Sequence, residues 1–254
     1  GTDPPRPPLH GRGLGARACP HRDQIGHMPA NPVDPTSILV IDTSTAQGSV
    51  ALYDGEQLSM RSWPADRNHT TTLLGEIHHL LAGAGISSDA LAAVAVTSGP
   101  GSFTALRVGM GVAKGFHLAL DTPLIAISTL EATALPYAVG DQRIVATLAA
   151  GRGRLVWQQF TPTGEAVMPR TAPRNGTGDD LVAELRAAPV TRFIIAGELA
   201  AAHAVQVAAE PNLFLPPAAL RYRQPGALAE LAWRKWQAQD LADPVLLEPV
   251  YLSR

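Results

Sequence analysis

At 254 residues the chain is long enough for two lobes or one large domain, and 46% hydrophobic against 17% charged content excludes a disordered protein. No stretch approaches the roughly 18 continuous apolar residues that a membrane span needs, and the one cysteine, Cys19, excludes an internal disulfide and a multi-cysteine metal site. A formal net charge of −2 without clustered basic residues argues against a protein that grips nucleic acid alone, and the cysteine usage points to a reducing, cytoplasmic setting.

Residues 1–36 read as a disordered or cloning-derived extension. Eight of the 22 prolines fall in the first 35 residues with no apolar periodicity around them, and His27-Met28 resembles a cloning junction with Met28 as the native start. Setting residues 1–27 aside leaves 16 basic and 20 acidic residues, a net of −4. The body opens with three strand-like runs, Ile38–Asp42, Gly48–Tyr53 and Gln57–Trp63, the last two joined by the hairpin pair Asp54-Gly55. Leu73, Leu74, Ile77, Leu80 and Leu81 then repeat at helical spacing and predict a helix over Asn68–Leu81, ended by Gly83 and Gly85. Leu91–Thr97 reads as a strand, Thr104–Leu120 as a long helix and Pro123–Ile127 as another strand. Ser128 and Glu131 form a capping box for a helix running toward Pro136.

The second half repeats this theme. Arg143–Ala149 and Leu155–Phe160 read as strands, with Glu165–Met168 as a third. Asp179–Ala188 reads as a helix, Arg192–Ala196 as a strand, and Glu198–Ala208 as a helix. Gly226–Gln239 is a further helix and Pro249–Leu252 an extended tail. Three hairpin-linked strands followed by crossovers, met twice, predict an α/β protein with a duplicated ribonuclease-H-like (actin-like ATPase) fold. Its two lobes, residues 37–138 and 139–254, would each hold a mixed sheet flanked by helices.

The segment Gly99-Pro100-Gly101-Ser102-Phe103-Thr104 lies between a predicted strand and a predicted helix. Glycine allows backbone angles that other residues resist, and Pro100 stiffens the turn. Ser102 or Thr104 is placed to cap the helix, whose free N–H groups favour an anion or a partner's carboxylate. The helix itself carries Gly109, Gly111, Ala113 and Gly115, and each glycine costs about 1 kcal/mol relative to alanine. Close packing either on the protein's own sheet or on a second subunit accounts for them. Neither a dinucleotide fingerprint nor a P-loop fits Gly109–Lys114. Ser102 lacks the flanking glycines of a nucleophile elbow, and His69, His78 and His79 share no metal-binding helical spacing. Asp42, with Thr43 and Ser44 at the end of the first strand, is the best candidate for a nucleotide contact.

These residues resemble the TsaB (YeaZ) family. The matches are Ile41-Asp42-Thr43-Ser44-Thr45, Asn68-His69, Gly99 through Thr104 with Leu106-Arg107, Ser128-Thr129-Leu130-Glu131-Ala132, and Glu248-Pro249-Val250-Tyr251-Leu252. The resemblance implies an actin-like fold with no catalytic residue, metal or cofactor of its own. It also implies a subunit required for threonylcarbamoyladenosine formation on tRNA, paired with the catalytic paralogue TsaD and joined by the ATPase TsaE. tRNA is met only through that complex, and homodimers use similar surfaces. The partner-binding residues so implied are His69, Leu73 and Ile77 on the first helix, Gly99, Pro100, Gly101, Ser102, Phe103 and Thr104 in the turn, and Arg107, Met110 and Lys114 on the second. The chain departs from the family where Ala149-Ala150-Gly151 replaces an Asp-Ala-Arg sequence at the first hairpin of the second lobe. An actin-like phosphotransferase needs carboxylates there to hold its metal, which makes that alternative the weaker one. A glycoprotease-like metallopeptidase is the third reading.

Overall fold

The apolar run that opens the body forms β1 (Ser37–Asp42), antiparallel to β2 (Gln47–Tyr53), which is antiparallel to β3 (Leu58–Pro64). The computed structural model describes residue 1 and residues 36–65, 69–189 and 192–252. Asp54 holds the β2–β3 turn by accepting from the amides of Gln57 and Glu56 at 2.7 and 2.9 Å, and these backbone donors lower its pKa. The chain continues through α1 (His69–Ala84), β4 (Leu91–Gly99), α2 (Phe103–Leu120) and β5 (Leu124–Ser128). The first sheet has the order β3-β2-β1-β4-β5, with β4 parallel to both β1 and β5.

After α3 (Thr129–Ala134) the second sheet is built from β6 (Arg143–Ala150), β7 (Arg154–Pro162), β8 (Val167–Pro169), β9 (Arg174–Gly176), β10 (Phe193–Gly197) and β11 (Leu213–Phe214). Its order is β11-β10-β6-β7-β8, with β9 also paired to β7. The β6–β7 and β7–β8 pairs are antiparallel, whereas β10 is parallel to β6 and to β11. With β9 set aside as an addition beside β7, each sheet has its third, second, first, fourth and fifth strands in that order, with the same strand directions. This is the duplication the sequence order predicts, an actin-like α/β fold. The helices α4 (Gly178–Ala187), α5 (Ala201–Ala208), α6 (Ala218–Arg221) and α7 (Pro225–Gln237) complete the body.

The alternation of β1 explains its near-continuous apolar sequence. Leu39 and Ile41 face α1 and α2, whereas Ile38 and Val40 face α7, so both faces are buried. Although α7 comes late in the chain, it packs on β1, β2 and β5 of the first sheet. Between the sheets, α3 turns Ala132 toward α7 and Leu130 and Ala134 toward β6. None of the described helices is long and apolar enough to cross a membrane.

Several sequence expectations shift. Asn68, placed at the start of the first helix, lies outside the described residues, as does nearly all of the 1–36 extension with Cys19, His27 and Met28. At α3 only half of the capping box forms: Ser128 Oγ accepts from Glu131 N at 3.3 Å, with no reciprocal bond. The Glu131 carboxyl instead lies in a partly buried setting near Lys235 and Asp240, and burial raises its pKa. A full capping box forms at α4, where Thr177 and Asp180 satisfy each other's backbone donors. The helix predicted from Glu198 begins only at Ala201, because Gly197 has φ +98° and Glu198 N donates to Thr147 O at 3.2 Å.

Candidate functional site

The strand-to-helix turn is built by close backbone approach. Gly99 has φ +115°, and a Cβ there would lie 2.8 Å from Val250 O. Any side chain at Gly101 would collide with Ser44 O, the same oxygen that accepts from Ser102 N at 2.7 Å. One of the amides expected to await an anion is thereby committed within the chain. Ser102 takes the N-cap position of α2, yet its hydroxyl makes no capping bond, which corrects the sequence expectation. The turn is fixed mainly by backbone contacts to the β1–β2 loop and to the C-terminal tail. In that tail, Val250 N donates to Ser98 O at 2.7 Å.

On the exposed side of the turn three side chains stack. The Arg107 guanidinium lies 4.0 Å above the Phe103 ring, and Phe103 packs on Tyr251 with ring centroids 4.9 Å apart. Such a cation–π contact at an exposed site is worth about 0.5–1 kcal/mol. Phe103 and Tyr251 stay about half exposed, and Thr104 and Arg107 are exposed. Arg107, Phe103 and the tail thus form one continuous surface, and Tyr251 is a member that local helix spacing has no means of revealing.

The small residues of α2 divide between its two faces. Gly109 and Ala113 point inward, and a Cβ at Gly109 would lie 2.5 Å from Thr43 Oγ1. Gly111 and Gly115 point outward into open space, as does Gly75 on α1. Around them Leu74 is 59% and Leu118 84% exposed, and Lys114 is half-buried. Own-sheet packing and an outward small-residue face are therefore both present, on alternate residues.

Three residues expected at a partner surface belong instead to the core. Leu73, Ile77 and Met110 are 0%, 3% and 4% exposed and pack beneath the two helices with Leu39 and Ile41. They position the outward face but do not reach it. Each lies on the inner stripe of its helix. His69 opens α1, and its side chain lies outside the described residues.

The strand-end residues expected to contact a nucleotide are committed to the protein itself. Asp42 is 2% exposed. Its Oδ1 accepts from Ser44 N at 2.9 Å, Ser44 Oγ at 2.7 Å and Thr97 Oγ1 at 3.1 Å. Its Oδ2 accepts from Arg223 Nε at 2.6 Å in an ion pair whose side chains are each 3% exposed. Thr43 Oγ1 donates to Ala105 O at 2.6 Å. A metal-bound phosphate at Asp42 would have to displace Arg223, so the nucleotide expectation for Asp42, Thr43 and Ser44 is corrected: these groups lock the β1–β2 loop. Arg223 lies 181 positions away, and no local signal announces it.

Between the two sheets lies a cavity of about 560 Å³, lined by Thr45, Pro100, Gly101, Ala149, Glu198 and Tyr251 among others. Thr45 Oγ1 bridges it by donating to Glu198 Oε1 at 2.7 Å and accepting from Arg223 Nη2 at 3.3 Å. The tail also spans the division: Leu247 is buried in the first sheet's core and Leu252 packs on the second's. Among the described residues no three His, Cys, Asp or Glu side chains are placed to hold a metal ion.

A family model described as TsaD, tRNA N6-adenosine threonylcarbamoyltransferase, matches residues 64–210. The tRNA threonylcarbamoyladenosine biosynthesis protein TsaB of Escherichia coli K12 is 34% identical over 125 residues, 48% of this chain and 54% of that protein. Its namesake in Haemophilus influenzae is 43% identical over 99 residues, 39% of this chain and 42% of that protein. The chain thus spans about half the length of the curated relatives it matches. The solved structure of YeaZ from Pseudomonas aeruginosa superposes with a TM-score of 0.72 at 26% identity, covering 85% of this chain and all of that one.

Proposed function

The chain belongs to the tRNA N6-adenosine threonylcarbamoyltransferase family, in its TsaB (YeaZ) branch, and from that premise we propose that it is a non-catalytic subunit of threonylcarbamoyladenosine formation on tRNA. It docks a TsaD-type catalytic paralogue through the outward face of α1 and α2, and the ATPase TsaE and the tRNA join through that complex. Residues 37–138 act as the partner-binding lobe, completed by α7 and Leu247, which pack on its sheet, and the rest of residues 139–254 acts as the second lobe.

The observation that carries this reading is the outward face itself. Gly75, Gly111 and Gly115 leave open space beside Leu74 and Leu118, which are 59% and 84% exposed. Small residues let a second helix pair approach closely, and exposed leucines supply apolar area to bury. The non-catalytic role is supported by the internal use of Asp42, whose four acceptor contacts include a buried arginine, and by Ala149 and Ala150 at the opposite hairpin. The test is to mix the purified chain with its TsaD paralogue. Light scattering should show a heterodimer, and adding the chain should restore tRNA modification to a mixture lacking it. No complex together with no restoration would overturn the proposal.

A further inference from the structure

Arg221 ends α6 with 8% of its surface exposed, and its Nε is sealed away without a hydrogen-bond partner. Among the described residues it joins no ion pair, unlike its neighbour Arg223, whose charge is met by Asp42. A buried guanidinium without a counter-charge is costly, and such groups persist where something supplies the missing acceptor. Arg221 lines a cavity of about 220 Å³ whose wall also includes Glu198, Ala149, Leu199, Ala218 and Tyr222. Glu198 accepts from Thr45 Oγ1 but likewise joins no ion pair among the described residues. Arg221 and Glu198 therefore line one small cavity without forming an ion pair with each other, together with the apolar Ala149, Leu199 and Ala218.

That arrangement discriminates among occupants. A simple anion would suit Arg221 but be repelled by Glu198, and a simple cation would meet the opposite conflict. A molecule carrying both charges satisfies both walls. The volume lies below the roughly 300 Å³ at which pockets for drug-sized ligands begin, so the occupant is small. We propose that this cavity binds a free α-amino acid with a small side chain, its carboxylate on Arg221 and its ammonium on Glu198. The site shares no residue with the proposed partner face.

The test is a ligand-observed NMR titration of the full chain with L-alanine, N-acetyl-L-alanine and L-alanine methyl ester. L-alanine should bind, and each derivative, lacking one charge, should bind about tenfold more weakly or worse, the scale of one lost charge-assisted hydrogen bond. Arg221→Gln should weaken L-alanine binding by a similar factor. Arg221→Lys keeps the charge but loses the planar fork; it should fold as the parent does and bind L-alanine more weakly. Binding of N-acetyl-L-alanine as tight as that of L-alanine would overturn the proposal in favour of a plain anion site. No binding of L-alanine at millimolar concentration would overturn it outright.

Discussion

The first hairpin of each sheet follows the same course through the fold, yet the two turns are built on opposite terms. At the end of β1, residues 42–45 are buried and their side chains reach Arg223, Thr97, Ala105 and Glu198. At the end of β6, Ala149, Ala150 and Gly151 offer methyl groups and backbone alone, and Ala149 and Gly151 are exposed. Topology was duplicated while side-chain chemistry diverged. In one copy the turn became a knot of internal hydrogen bonds, and in the other a bare wall of the cleft. The cleft is spanned by Thr45–Glu198 and by the C-terminal tail, contacts supplied by the chain itself.

The largest effect is expected from cutting the knot. Asp42→Ala leaves Arg223 buried without its carboxylate, and breaking a buried pair on one side costs about 3–5 kcal/mol. Chemical denaturation should show that loss, while the double variant Asp42→Asn with Arg223→Met should recover much of it. If Asp42→Ala proved neutral, the β1–β2 loop would not be the locked member of the comparison.

Next in size is the inner face of α2. Gly109→Ala drives a methyl group into Thr43, and overpacking of this kind costs about 1–3 kcal/mol. Gly111→Ala, two residues on but facing open space, should instead stabilise the helix by about 1 kcal/mol. Thermal melting of both variants checks the opposite signs, and equal signs would deny that α2 has two distinct faces.

The smallest effect belongs to the bare turn. Ala149→Asp places a carboxylate at the second hairpin, where the residue is exposed, and should change stability by no more than about 0.5 kcal/mol. A large change in the denaturation midpoint would show that this turn carries structural weight after all.

Much of this contrast was legible in the sequence, and the missing part has one physical cause. Runs such as Ile38–Asp42 and repeats such as Leu73–Leu81 announce elements through local periodicity, and the repeated order of elements announces the duplication. The short strands Arg174–Gly176 and Leu213–Phe214 carry no such pattern, because pairing with β7 and β10 holds them in place. The candidate site shows the same limit more sharply. Gly99–Phe103 stands out by composition, but the contacts that define it come from Ser44, Val250 and Tyr251, distant in sequence. The family resemblance implied Leu73, Ile77 and Met110, yet these lie on the buried stripe of their helices, and the exposed stripe beside it carries Leu74, Gly75, Gly111 and Gly115. Arg223 was invisible because nothing near it in sequence differs from an ordinary surface arginine.

The central claim is that the outward stripe of α1 and α2 docks the catalytic paralogue, and a binding titration with a matched pair of variants tests it most directly. Gly111→Arg places a long charged side chain on the open face without touching the core, whereas Ala149→Asp alters the cavity walls at the second hairpin and not the face of α1 and α2. Calorimetric titration against the TsaD paralogue should show wild-type affinity for Ala149→Asp and a loss of about a hundredfold or more for Gly111→Arg, the cost of seating an unpaired charge in an interface. Gly111→Arg binding as tightly as the parent protein, with its fold intact by circular dichroism, would contradict the account.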